Sequence, residues 1–244
     1  TGVHPTAAST IVHALVTSHG MTHSAAQAAL STAFGFEADT ATAPADATNP
    51  AAGATQAELL AGLRAAAFSQ LTQDLGLEPE DQFALLVALA QDIADGNFNG
   101  EDGSGPVVVG ATALPADIQN RFTQALLEFH GGANDQTGLT NSQLGSLMFA
   151  KVALTNTYQI EYLPGMMPAM QGKTMFQLRI SDKDTGTEAT GLNVTLMPMM
   201  YMDTHNHSTP YENCTETATA GTYACTVYYP VSYTHLRAHE TKAN

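Results

Sequence analysis

The chain has 244 residues, of which 23 are acidic and 8 basic, for a formal charge of −15 at pH 7. That length allows one large or two small domains with a real core. The acidity excludes nucleic acid as a partner, because phosphate binding needs a basic surface. No stretch is apolar for long enough to span a bilayer, and the chain opens at Thr1 as a protein with its leader removed would.

The first half reads as helices. Residues 7–18 place Ile11, Val12, Leu15 and Val16 at helical spacing before Gly20, and Thr22 or Ser24 caps a second helix through Phe34 to Gly35. His13, His19 and His23 lie here with Met21, at positions that suit surface or capping residues better than ligands. Residues 37–54 form a low-complexity Ala/Thr/Pro loop.

Thr55 with Glu58 is a capping-box pattern, opening a stripe of Leu59, Leu60, Leu63, Ala67 and Leu71 that Gly76 ends. Pro79 then stands as a first-turn proline before Phe83, Leu86, Leu89, Ala90 and Ile93. The short connection predicts that these two helices form an antiparallel pair. Asp95, Asn97, Asn99 and Gly100 match the first half of an EF-hand loop, but Pro106 holds the place of the bidentate Glu, so this segment reads as a Gly-rich polar loop. Residues 115–130 give another helix on Ile118, Phe122, Leu126 and Phe129, and residues 144–154 a fifth, capped by Asn141 or Ser142. Residues 1–155 thus read as an Ala-rich, all-α domain with no nucleophile–base pair or phosphate loop.

The period then changes to two. Tyr158, Ile160 and Tyr162 alternate, as do Phe176, Leu178 and Ile180, then Leu192, Val194 and Leu196, and last Tyr223, Cys225, Val227 and Tyr229. With turns at 183–186 and 220–221 this describes a small antiparallel β-sandwich over residues 156–231. Cys214 and Cys225 flank a hairpin and read as a disulfide, which points to an oxidising compartment.

Eight of the ten methionines lie between positions 166 and 202. Met166, Met167 and Met170 form one cluster. Met197, Met199, Met200 and Met202 form a second that runs into His205 and His207. Thioether is a soft donor and imidazole a borderline one, a set that suits copper, above all Cu(I). The prolines at 168 and 198 place both clusters on loops, where two strand ends could converge on one ion. Two other readings stand beside this one: methionine as a packing or partner surface, and zinc on Asp203, His205 and His207 with methionine as a bystander.

The stretch LPGMMPAMQGKTMFQLRISDKDTGTEATGLNVTLMPMMYMDTHNHSTP resembles the YtkA/FixH-like group of bacterial extracytoplasmic domains. The resemblance covers residues 157–230 and rests on a Met-Pro-Met loop followed by closely spaced histidines after a Val/Leu strand. It implies an immunoglobulin-like β-sandwich associated with copper handling. Ligation then falls to Met197, Met199, Met200, Met202, His205 and His207, faced by Met166, Met167 and Met170. The helical half is similar to helical segments of bacterial surface proteins and lipoproteins, which implies lipid anchoring through a segment ahead of Thr1. Residues 232–244 resemble a translated sequencing-adapter read-through of the kind found in assembled metagenomic genes, so the natural sandwich is expected to continue past Val231.

The expectation is an α+β chain of two domains: a helical one, then a truncated immunoglobulin-like sandwich. It would be extracytoplasmic and not an enzyme, holding copper for storage or for delivery to a protein partner. The rival is a structural or adhesive surface protein whose Met-rich loop packs or docks.

Overall fold

The computed structural model of the protein describes residues 2–163, 172–201, 206–229 and 241–243, with the backbone alone at 200–201, 206–207 and 241–243. Helices and an antiparallel sheet coexist, so the α+β class holds. The chain divides into two compact units, Thr1–Ala150 and Lys151–Asn244.

Capping chemistry sets the helix ends of the first unit. Helix α1 spans Ala7–His19: Ser9 N donates to Thr6 Oγ1 at 3.1 Å and Thr6 N to Ser9 Oγ at 2.8 Å, and Gly20 closes the helix in the left-handed region. Helix α2 spans His23–Phe34 between Thr22 and Gly35, the latter at φ +81°. A Cβ on Gly35 would stand 2.4 Å from the Ser146 carbonyl oxygen, so close approach as well as conformation requires glycine. Helix α3, Gln56–Asp74, opens on the expected Thr55–Glu58 box, with Thr55 N donating to Glu58 Oε2 at 2.7 Å. Pro79 starts a single 3₁₀ turn, Pro79–Asp81, that leads into α4, Gln82–Ile93.

Two short strands follow, β1 (Val108–Val109) and β2 (Thr112–Ala113), paired antiparallel across Gly110 at φ +60°. Sequence periodicity does not reveal a hairpin of this length inside a helical unit. Helix α5 is Ile118–Gly131, starting three residues later than the predicted Pro115.

The expected helix over 144–154 does not form. Asn141–Leu144 is a 3₁₀ turn that stops at Gly145, at φ +81°, ψ −157°, and Val152–Leu154 is strand β3 of the second unit. The cap is Thr140, with the expected Asn141 and Ser142 inside the turn, and Gly145 takes a conformation no helix can continue through. The expected α3–α4 pairing is also not the main one: α3 packs chiefly on α5, and α4 on α1.

Phe34 is the centre of this unit's core. Its ring lies 4.7 Å from Phe122, 4.8 Å from Phe98, 5.5 Å from Phe68 and 6.1 Å from Phe36. Such tilted and edge-on contacts add stability beyond the apolar area they bury. The Ala/Thr/Pro loop is stitched down at intervals. Gln27 brackets Ala38 through both amide atoms at 2.9 Å, and His4 N donates to Thr40 O at 2.9 Å. Ala45 N donates to Glu58 O at 2.9 Å, and Gln136 N to Ala47 O at 2.8 Å.

In the second unit β3 is followed by β4 (Tyr158–Leu163), β5 (Gly172–Asp182), β6 (Val194–Leu196), β7 (Met199–Tyr201), β8 (Asn206–Ser208), β9 (Tyr211–Glu216), β10 (Thr222–Tyr229) and β11 (Thr241–Ala243). Five of these form one sheet in the order β3-β4-β5-β10-β9, antiparallel throughout. Strand β5 alternates: Thr174, Phe176, Leu178 and Ile180 are buried while Lys173, Met175, Gln177 and Arg179 are exposed. One face of the sheet is therefore packed and the other solvated, as period-two patterning dictates.

Strand β6 joins the packed face through Val194 and Leu196, and pairs antiparallel with β11. Tyr223, fully buried, donates its hydroxyl to Ala189 O at 2.8 Å and accepts from Leu192 N at 3.1 Å, tying the approach to β6 onto β10. Cys214 and Cys225 are joined in a disulfide across β9 and β10 as expected, at a β-bulge where Asn213 and Cys214 together oppose Cys225.

Candidate metal centre

Strand β6 fixes where the second methionine cluster starts, because Val194 and Leu196 are held in the core. Met197 follows with 52 % of its surface exposed, then Pro198 is buried. Pro198 separates β6 from β7 but does not leave the next methionines on a loop. Met199 and Met200 lie on β7, which pairs antiparallel with β8. This corrects the sequence expectation: a proline ahead of a strand removes no ladder donor from it.

The register of that ribbon is Met199↔Ser208, Met200↔His207 and Tyr201↔Asn206. The exit of β8 is anchored to the main sheet. Thr209, 2 % exposed, donates its hydroxyl to the Tyr228 carbonyl, and Tyr228 N donates to Pro210 O at 2.8 Å. The ribbon thus rises from a fixed base, with β6 packed on the core at one foot and β10 bonded at the other.

The remaining predicted ligands are placed as follows. Met166, Met167, Met170, Met202 and His205 lie outside the described residues, as does Asp203 of the zinc reading. Met175 stands on the solvated face of β5, 58 % exposed and opposite Thr226. Both cysteines are consumed by the disulfide, so neither offers a thiolate. Among the described residues no three His, Cys, Asp or Glu side chains gather where they could hold a metal ion. A methionine-dominated site is not built from such a group.

The EF-hand-like loop has its oxygens engaged internally. Both carboxylate oxygens of fully buried Asp92 accept backbone donors, from Asn99 N at 3.1 Å and Gly100 N at 3.0 Å. Asp95 Oδ1 accepts from Asn97 N at 2.8 Å, and Asn99 Oδ1 from Glu101 N at 3.2 Å. Burial pushes the Asp92 carboxyl up to about 6, against the pull of its backbone donors. Hydrogen bonds from Ser104 and Gln91 hold Asp102 well below the usual carboxylate range. These carboxylates organise the loop, and the sequence showed only their spacing.

Sequence reasoning also passed over His130, whose Nδ1 lies 2.7 Å from Asp135 Oδ2. The pair ties the end of α5 to the turn after it, five residues apart. No known family, curated protein or solved structure matches this chain.

Proposed function

We propose that this chain is an extracytoplasmic copper-binding protein that holds Cu(I) through its Met/His-rich segment, for storage or for delivery to a protein partner. The observation that carries the reading is the β7–β8 register, which sets a thioether residue, Met200, directly opposite an imidazole residue, His207. Soft and borderline donors in one place favour Cu(I) over hard cations. The disulfide supports an oxidising compartment. With no thiolate to spare, a blue-copper electron-transfer centre is disfavoured, so the activity is binding and ligand exchange rather than turnover. The same reading takes the sheet with its covering strand β6 as part of an immunoglobulin-like, YtkA/FixH-like sandwich behind a helical domain, lipid-anchored from further upstream.

The experiment is an anaerobic Cu(I) titration of the full chain against a chromophoric chelator. The comparison is a variant carrying Met197, Met199, Met200 and Met202 all changed to Leu, with folding checked by circular dichroism. Stoichiometric binding that the variant loses supports the proposal. A folded wild type unable to compete for Cu(I) ends it.

The exposure of Met175 and Met197 favours a second reading, a structural or adhesive surface protein that uses methionine as an adaptable contact. In that case the Leu variant would lose partner binding while copper affinity stays absent in both proteins.

A further inference from the structure

Helical spacing puts Phe83 on the apolar stripe of α4, yet its side chain is 67 % exposed. It stands at a cleft of about 750 Å³ whose lining residues all belong to the helical unit. Small side chains of α3, at Gly62, Ala65 and Ala66, make up one side. Gly62, where a Cβ would stand 2.0 Å from the Ala45 carbonyl oxygen, lets the loop over residues 44–48 close on the helix and form a wall. That wall is held in place. Ala45 N donates to Glu58 O at 2.9 Å, and Gln136 N to Ala47 O at 2.8 Å. Asp46 Oδ1 accepts from Thr48 N at 2.9 Å and from Thr48 Oγ1 at 2.7 Å. The α3 lining runs from Gly62 to Gln73, about 16 Å along the helix axis. A second cleft, of about 510 Å³, adjoins the first and shares Thr48 and Asn134 with it.

The polar groups of the lining are mainly amides and hydroxyls. Gln82 Nε2 donates to Ser69 Oγ at 2.8 Å, bridging α4 and α3. The exposed amides of Gln73 and Asn134 are bonded to none of the described residues. Among the described residues the lining holds no lysine or arginine, and Asp46 is its one carboxylate. In a unit with far more acidic than basic residues, such a cleft repels anions. A single carboxylate, already accepting two hydrogen bonds, is a poor seat for a cation.

We propose that this cleft binds a neutral oligosaccharide, with one sugar ring on Phe83 beside Gln73 and Gln82 and the chain running toward Asn134. The site is independent of the copper reading. The C–H face of a sugar ring suits the negative face of an exposed aromatic ring. Sugar hydroxyls both donate and accept, as amides and hydroxyls of the lining do. A cleft of this volume lies in the range of about 300–1,000 Å³ used for small ligands, and a wall already fixed needs little ordering on binding. A proline-rich peptide is the nearest competitor, but grooves for such peptides are lined with aromatic residues, and here the α3 side is glycine and alanine.

The test is affinity electrophoresis of the full chain through gels containing hydroxyethyl cellulose, glycogen, galactomannan or glycol chitin. At least one of the four should retard it. Phe83→Ala should weaken that retardation at least tenfold, and Gln73→Ala with Asn134→Ala severalfold, with melting temperatures unchanged because all three side chains are exposed. Val87→Ala, one turn along α4 and outside the lining, should migrate as wild type. Should Phe83→Ala misfold, the Gln73/Asn134 variant decides. A wild type retarded by none of the four overturns the proposal, and so does an equal loss in Val87→Ala. Binding of a polyproline decapeptide that Phe83→Ala abolishes, with no retardation by polysaccharide, overturns it in favour of a peptide groove.

Discussion

The helical and the sheet unit solve the same problem with different resources. Two of the eight basic residues and fifteen of the 23 acidic ones fall in residues 1–150, so the helical unit carries −13 of the chain's −15 and the remainder −2. Both of its cations lie on helices: Arg121 bonds Asp117 at 2.8 Å, and Arg64 sits 4.3 Å over the Phe36 ring. Such a unit must hold itself together against its own charge, and it does so with an aromatic core and backbone capping. The sheet unit is nearly balanced, pairs Arg179 with Glu188 and Glu161 across its solvated face, and adds a disulfide. The covalent tie and the cross-strand ion pairs belong to the unit whose core is the smaller among the described residues.

The first way to break this contrast is Phe122→Ala. It removes a ring that touches Phe34, Phe36 and Phe68, and should cost the helical unit about 3–5 kcal/mol in urea unfolding. The transition of the sheet unit should not move. A loss below about 1 kcal/mol would show that the aromatic cluster is not the centre of the core.

Replacing Cys214 and Cys225 together by Ala should cost about 2–4 kcal/mol in the sheet unit alone, since the bridge closes an 11-residue separation. Reducing agent should mimic it. An unchanged melting curve under reduction would assign that unit's stability to packing instead.

Gly62→Ala sets helix propensity against packing. In an open helix interior Ala is better than Gly by about 1 kcal/mol. Here the new Cβ would stand 2.0 Å from the Ala45 carbonyl oxygen, so the substitution should cost about 1–3 kcal/mol. A stabilised variant would mean the loop over α3 gives way freely.

The smallest effect expected is in pH dependence. Because Asp92 has its folded pKa raised to about 6 from 3.8, it stabilises the fold at acid pH and loses that contribution as pH rises through 6. Lowering pH from about 7 to about 5 should stabilise the helical unit by about 1 kcal/mol, and Asp92→Asn should flatten the rise. Carboxylates of the sheet unit shift the other way: Thr185 and Tyr228 hydrogen bonds lower Asp182 and Glu212. That unit should be level over the same window and weaken only in stronger acid. A helical unit whose melting temperature ignores this window would contradict the assignment.

The starts of α2 and α3 and the ends of α1 and α2 were legible because each is written locally, in Thr22 and Thr55 and in Gly20 and Gly35. The alternation of β5 was legible for the same reason. What failed depends on partners far away in sequence. Nothing near Val152 says that it will pair with Glu161, and nothing in α3 selects α5 over the adjacent α4. For the candidate site, the donor types were visible in the motif. The pairing of Met200 with His207 was not, because it follows from a register fixed across two strands.

The stitched Ala/Thr/Pro segment bears on proteolysis. Its composition resembles that of a linker, the usual place for a nick, yet its backbone is bonded at Ala38, Thr40, Ala45 and Ala47 to four different parts of the helical unit. A protease needs a run of extended, unbonded chain to seat its substrate. Elastase should therefore cut these alanines only as fast as the unit opens, making the digestion rate of this loop a report on the stability of the helices around it.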